Sequence, residues 1–315
     1  MRLNTKIIIL AVLAVSFVAL FLFSDIPGNW DYILPRRISK VVAMIITGAV
    51  IAIATVVFQT ITNNRILTPS IIGLDSLYIL LQTFLIFIFG ATSSVSVNPA
   101  INFALSVAIM VVFAFLLYHL LFKKNQNVYF LLLVGLVFGT FFSSLSSFMQ
   151  VLIDPNEFLI VQNKMFASFN NINTDIIPYA IAVISFTFIY FIRFLPYLDV
   201  MSLGKSHAIN LGVDYEYMVK RLLIIIAIWI SVATALVGPI LFLGLLVANV
   251  TYEFLKTYKH TYLLIGTALL SVIALVGGQL IVERLFQFET TISVIINFIG
   301  GVYFLYLILK ENKAW

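Results

Sequence analysis

The chain has 315 residues, of which 62% are hydrophobic and only 10% charged, with a mean hydropathy of +1.12. A soluble domain carries about 25% charged residues, and no soluble core of this length hides so much apolar surface, so lipid is the solvent for most of the chain. The net charge of +5 sits in short loops between apolar runs, which excludes a clustered nucleic-acid face, and the absence of cysteine excludes disulfides, thiolate metal sites and cysteine nucleophiles.

Arg2 and Lys6 precede an apolar run, 7–24, that ends in FLFSD without a small-x-small cleavage pattern, so a retained first helix is expected rather than a removed signal. Further runs long enough for about 30 Å of hydrocarbon lie at 38–62, 71–90, 100–122, 128–153, 176–195, 221–237, 261–282 and 291–310. A tenth, 239–252, follows Gly238-Pro239 and is short: some 14 residues rise only about 20 Å as helix.

Charge decides whether it counts. With ten crossings and both termini inside, Arg2, Lys6, Arg65, Lys123, Lys124, Arg193 and Lys205 fall inside, with Lys220, Arg221, Lys256, Lys259, Lys310 and Lys313. Arg36, Arg37, Lys40, Lys164 and Arg284 fall outside, a split of 13 to 5; nine crossings would make it 9 to 9. Ten spans in one domain, 1–315, is the expected all-α polytopic architecture. A short broken span is tolerated only where protein or a watery cavity covers its ends, and such breaks often line transport routes. Tyr32, Tyr118, Tyr129, Tyr179, Tyr197, Tyr252, Tyr262 and Tyr306 fall near span ends, as an interfacial aromatic belt does.

The longest inside loop contains SLGKSHAINLG, 202–212. Gly204-Lys205-Ser206 has the ending of a phosphate-binding loop, but Asp199 stands where that loop needs its first glycine, and a membrane span precedes it instead of a strand. The segment reads instead as a short surface helix. Ser206 is expected to cap it, Ala208 and Leu211 to lie along it, Gly212 to end it, and Asp214 to cap the next helix.

Polar residues on apolar helices need a cavity or a helix partner. Thr55, Gln59 and Thr62 recur at near-helical spacing, and Ser143, Ser144, Ser146, Ser147 and Gln150 crowd another span, making them candidates to line a pathway. Asp75 is expected to cap its helix and pair with Arg65. His119, His207 and His260 are scattered near inner span ends, and no span holds an acidic pair. An intramembrane enzyme would need such a constellation.

Several motifs then converge. Leu34-Pro35-Arg36 opens the second span; QTITNNRILTPSIIG supplies Gln59, Thr62, Asn64, Pro69 and Gly73; Ala208, Leu211 and Gly212 form an Ala-x-x-Leu-Gly, with Arg221 opening the next helix; and GPILFLGLLVAN occupies 238–249. On these the chain resembles, from about residue 30 to 310, the permease subunits of ABC importers for iron-siderophore complexes, haem and cobalamin. It departs from the family wording at Arg65 (usually Pro), at Ala248-Asn249 (usually Pro-His) and at Lys164-Met-Phe-Ala-Ser168 (often Trp-x-x-Gly-Ser). The stretch from Asn63 to Tyr78 is similar to the branch importing catecholate-type siderophores such as petrobactin.

The resemblance implies a bacterial cytoplasmic-membrane protein that moves iron(III)-siderophore complexes inward by alternating access. It implies a coupling helix between spans 6 and 7, in the segment 202–220, gripped by an ATPase subunit. Ser206, Ala208, Leu211, Gly212 and Arg221 would serve that contact. ATP would be used by the partner, and no cofactor or metal would be bound by this chain. Arg36 and Arg284 would receive carboxylates of an extracytoplasmic binding lipoprotein, and Asn64 would belong to an inner gate. A second permease, related or identical, would complete the pore. The competing readings are an ion-coupled carrier, which also uses broken helices, and the same importer class carrying haem or cobalamin.

Overall fold

The computed structural model describes residues 2–24, 28, 30–123, 128–170 and 172–311. Lys124 and Lys313 lie outside the described residues, as do the side chains of Lys123, Tyr129 and Lys310. Among the described residues there is no strand. Fourteen helices run in order: α1 (Leu3–Phe23), α2 (Trp30–Thr62), α3 (Leu74–Phe89), α4 (Ser94–Val97), α5 (Pro99–Lys123), α6 (Val128–Leu152), α7 (Pro155–Met165), α8 (Ile177–Ile192), α9 (Leu195–Met201), α10 (Lys205–Asn210), α11 (Tyr215–Val237), α12 (Leu243–Leu255), α13 (His260–Arg284) and α14 (Ile292–Glu311).

Eight of these are long and apolar enough to cross a membrane, and the two shorter apolar helices, α3 and α12, complete the expected ten. The α10 segment falls between spans six and seven, where the sequence places it. Both short helices follow a chain break, Pro69–Gly73 before α3 and Gly238–Phe242 before α12. One small cavity touches Thr68, Pro69, Ser70 and Asp75 on one side and Ile240, Leu241 and Gly244 on the other, so both helices begin at the same interior spot.

The core is built around α2, α11, α12 and α13. The most apolar windows of α2 and α11 are each 72% buried, against 17% for α1 and 22% for α14. Lipid tails are as apolar as leucine, so helices associate in a bilayer through close packing, which small residues permit. Gly48 of α2 lies against α13, where an added Cβ would stand 2.7 Å from Leu275 Cδ1. Gly244 opens α12 against Thr55 in the same manner. Gly135 and Gly139 of α6 make room for the break before α3: a Cβ on Gly135 would sit 2.8 Å from Ile72 Cα.

Two expectations are corrected. Asp75 does not meet Arg65; it is buried and accepts a hydrogen bond from Thr234 Oγ1 at 3.0 Å, because the break before α3 carries it into the bundle and away from the inner surface. Tyr118 is not interfacial but 1% exposed in the core. Between the runs 128–153 and 176–195 lies a helix without a sequence counterpart, α7, started by Pro155 with Asp154 Oδ1 accepting from Asn156 N at 2.9 Å. Its Val161 packs on Ile86 and Ile153.

Backbone cannot yield as a side chain can, so Gly135→Val should overpack the seam between α6 and the break at a cost of about 1–3 kcal/mol. The melting temperature of the purified protein in detergent should fall for Gly135→Val and stay unchanged for Gly301→Val, whose Cβ would meet nothing within 4 Å. Equal melting of the two variants would contradict the packing described.

Candidate functional site

Three polar regions stand out from the apolar bundle. The first is the segment around α10. Gly204, at φ +96°, takes the N-cap, a backbone conformation that only glycine adopts without strain, and Ala208 N bonds to Gly204 O at 3.0 Å. Ser206 is therefore the second residue of the helix, within its first turn, and does not cap it, contrary to expectation. The helix ends as the sequence predicts. Gly212, at φ +83°, donates to Ile209 O at 2.9 Å, and Val213 N donates to Ala208 O at 3.0 Å, the paired bonds of a Schellman motif. Asp214 Oδ1 then caps α11 by accepting from Tyr217 N at 3.1 Å.

This places the predicted residues on two sides. Ala208 is fully buried and packs inward with Val213, so its contribution is to seat the helix. Ser206, Leu211, Gly212 and Arg221 are exposed, and the Arg221 guanidinium lies 5.2 Å from the Tyr217 ring. Leu203, Ile209 and Leu211 are exposed at 57%, 50% and 63%, an apolar knob on a segment outside the spans. Lys205, the lysine of the phosphate-loop lookalike, pairs with Glu216 at 3.3 Å.

The second region is the inner turn after α2. Asn63 has φ +48°, Asn64 N donates to Gln59 O at 3.2 Å, and Asn64 Oδ1 accepts from Ile66 N at 2.9 Å. The carbonyl of Arg65 receives two side-chain amides, Gln59 Nε2 at 2.6 Å and Asn249 Nδ2 at 3.0 Å. Asn249 belongs to the Ala248-Asn249 pair that departs from the family wording, and the geometry gives that departure a use. The Arg65 guanidinium turns to the Tyr252 ring, 4.6 Å away.

The pathway candidates separate. Thr55, Gln59 and Thr62 are buried within the chain, and the two threonine hydroxyls donate to carbonyls one turn earlier, Ile51 O and Phe58 O. Ser143 and Ser147 of α6 are exposed, alongside Thr140 and Ser144, while Gln150 is half-buried and donates to Ser146 Oγ and Thr83 Oγ1. The structure does not bring the two groups together. Sequence reading also missed Lys164 as a polar centre: its Nζ donates to Gln82 Oε1 at 2.8 Å, and Gln82 in turn engages Asn102 and Ser106. Burial pushes the Lys164 ammonium below the ordinary lysine range. Among the described residues it has no carboxylate at ion-pair distance.

The third region lies where the start of α2 meets the end of α13, at the end of the bundle opposite the turn after α2. A cavity of about 760 Å³ is lined by Tyr32, Arg36, Arg37, Lys40, Asn170, Asp175, Glu283 and Phe288, among others. Arg36 is exposed and stacks on Tyr32 at 4.1 Å. Arg37 is tied to the end of α1, donating to Phe21 O at 2.8 Å and Ser24 O at 2.6 Å. Arg284 donates to Ser24 Oγ at 2.9 Å but lines a separate apolar cavity of about 530 Å³ between α1, α12, α13 and α14. Lys40 joins Asn170 Oδ1 at 3.0 Å and Glu283 Oε1 at 3.5 Å. No sequence motif marked that contact.

An all-α bundle of ten apolar helices, two of them broken at one interior spot, with an apolar knob at one face and a charged rim at the other, is a polytopic transport protein. The chain belongs to the FecCD transport family, whose profile matches residues 4–310. It is 61% identical over 316 residues, covering all of both chains, to the petrobactin import system permease protein YclO of Bacillus subtilis strain 168. It is 37% identical over 281 residues to the petrobactin import system permease protein FatC of Bacillus anthracis, covering 89% of this chain and 79% of that one. Its fold matches the solved structure of a metal-chelate type ABC transporter in an inward-facing conformation, with a TM-score of 0.86 at 20% identity over 98% of this chain and 99% of the other.

Proposed function

We propose that this chain is the permease subunit of an ATP-driven importer that carries iron(III)-siderophore complexes, of the catecholate type exemplified by petrobactin, across a bacterial cytoplasmic membrane. The observation that carries this reading is full-length identity of 61% to a petrobactin import permease. Family membership supports the division of labour: hydrolysis belongs to a separate ATPase, delivery to an extracytoplasmic binding lipoprotein, and a second permease completes the pathway. The exposed Leu203, Ile209 and Leu211 support an ATPase docking on α10, because an apolar knob in water asks for a protein cover. With that face inside, both termini are cytoplasmic and the rim carrying Arg36 and Arg284 faces out. The exposed hydroxyls of α6 support a pathway on that helix, facing the second permease. Lys164, held by Gln82 with no carboxylate at ion-pair distance among the described residues, supports an anionic cargo.

The direct test is uptake of radiolabelled iron by a strain lacking this gene. Complementation should restore uptake of ferric petrobactin and leave ferric hydroxamate uptake unchanged; restored hydroxamate uptake alone would refute the cargo assignment.

Gly212→Ala and Gly212→Trp both strain the positive φ, yet only tryptophan adds bulk to a face where this chain has nothing within 4 Å. Gly212→Trp should abolish copurification of the ATPase with membrane insertion intact, whereas Gly212→Ala should retain most of it. Retention by both variants would remove α10 from the interface.

Guanidinium-carboxylate docking is charge-assisted and screened by salt. The Arg36→Glu, Arg284→Glu double variant should weaken binding-protein docking, and the wild-type affinity should fall with ionic strength where the variant's does not. Equal affinities would return both residues to lipid-interface anchoring.

A further inference from the structure

Both flanks of the α10 segment reach the same turn of α2. On the N-terminal flank, Asp199 of α9 accepts at Oδ1 from two groups of His260, the backbone N at 2.7 Å and ring Nδ1 at 2.6 Å. The other ring nitrogen, Nε2, meets Thr60 Oγ1 in the last turn of α2 at 2.8 Å. On the C-terminal flank, the Tyr215 hydroxyl, at the first residue of α11, donates to the carbonyl of Ile61 at 3.0 Å. Residues far apart in the chain thus converge on two consecutive positions of one helix.

The line is continuous from α10 outward. Leu203 N bonds to Val200 O at 3.1 Å and Gly204 N to Met201 O at 3.0 Å, so α9 and α10 form one hydrogen-bonded run. Leu198 and Met201 are fully buried and seat α9 against the bundle. His260 opens α13, and Asp199 satisfies one of the backbone donors that a helix start leaves open. With Nδ1–H given to the carboxylate, Nε2 accepts from the Thr60 hydroxyl when the ring is neutral, drawing its single proton away from Val56 O, and donates to it when the ring is charged, leaving that proton on Val56 O. The ring is held at both edges in either state.

Packing alone does not call for this arrangement. His260 is 3% exposed and Thr60 5% exposed, and burying such groups is costly unless they are paired, so an apolar pair would fill the space at less expense. The histidines look scattered in the sequence, yet this one stands in a Thr-His-Asp line. Thr60 is closed off from solvent and its hydroxyl also contacts Val56 O at 2.8 Å, so the line has the chemistry of a strut. What lies past it is the inner turn: Gln59 holds the Arg65 carbonyl, and Thr62 ends the helix.

We propose that the Asp199–His260–Thr60 line and the Tyr215–Ile61 bond are positioning contacts that carry displacement of the α10 segment into the inner turn of α2, converting ATP hydrolysis into opening of that turn. The inference rests on the reading of 202–220 as the ATPase contact. Thr60 touches neither cargo nor ATPase; it acts through His260 and the turn that follows it.

The test uses the complete transporter, reconstituted in liposomes with its ATPase, second permease and binding protein, and records ferric petrobactin uptake and ATP hydrolysis together. Thr60→Val deletes the hydroxyl at nearly constant volume, and Thr60→Ser keeps it. In Thr60→Val, ATPase association and hydrolysis should remain at the wild-type level while uptake per ATP falls about fivefold, the weight of one buried hydrogen bond. Thr60→Ser should restore the ratio. Tyr215→Phe should lower it as well, and the double variant should lower it further than either change alone; the Tyr215→Phe result stands by itself where Thr60→Val does not assemble. An unchanged ratio, or a fall in hydrolysis matching the fall in uptake, overturns the inference. Failure of the underlying reading looks different: the wild-type permease would then bring down no ATPase at all.

Discussion

Hydrocarbon offers no hydrogen-bond partner, so every backbone group at membrane depth has to be satisfied by the chain itself. A continuous helix meets this condition alone. A break does not, and among the described residues two, at 63–73 and 238–242, each precede a short helix. Much of the central architecture can be understood as the means of covering them. The Arg65 carbonyl takes side-chain amides from Gln59 and Asn249. Val237 O accepts from Ser168 N at 3.0 Å, which brings the 166–168 stretch so close that a Cβ on Gly238 would lie 3.0 Å from Ala167 Cα. Thr234 spans from the end of α11 to Asp75 at the start of α3.

The same condition explains why hydroxyls inside spans are poor guides to a pathway. Thr47, Thr55, Thr62, Thr187, Thr251 and Thr267 each donate to a carbonyl four residues earlier. A threonine satisfied within its own helix is an adaptable packing residue with a β-branched shape, suited to close helix contacts. Thr55 and Thr62 therefore look polar in the sequence and behave as core. The hydroxyls of α6 differ in position: Thr140, Ser143, Ser144 and Ser147 remain on the surface of the chain.

What the sequence reveals follows from the range of the interactions involved. Span number, the break at Gly238-Pro239, the end of α10 at Gly212 and the Asp214 cap are set by local composition or by hydrogen bonds within a few residues, and all were readable, whereas the run 71–90 read as a full-length span and hid the break before α3. The start of α7 is equally local, signalled by Asp154-Pro155, but the helix has only 11 residues and no long apolar run marks it. The Ser206 cap failed because Gly204, with its positive φ, starts the helix sooner. Asp75 was matched to Arg65 by charge and proximity in sequence, whereas the chain lifts Asp75 into the bundle and turns Arg65 to Tyr252. Lys40–Glu283 and Thr60–His260 join α2 to α13 across more than two hundred residues or nearly so, and no single-sequence pattern encodes such partners.

Those last two contacts have a shared consequence. They pin the same antiparallel helix pair at its two ends, Lys40–Glu283 toward the outer rim and Thr60–His260 toward the inner face. From Arg36 to Thr60 is 24 residues, about 36 Å of helix. Gly48 of α2 closes the gap between the pair in the middle, against Ser271 and Leu275 of α13. A pair packed at its centre and tied at both ends moves as one body more readily than it bends, because tightly packed contacts have discrete arrangements and little compliance. The rim proposed to meet the binding protein and the turn proposed to meet the coupling segment thus lie on opposite ends of one rod. A force at either end is then felt at the other without any relay through the less buried α1, α8 or α14. Under the proposed function, alternating access then reduces to where that rod stands relative to α6, whose exposed hydroxyls lie outside the core around it.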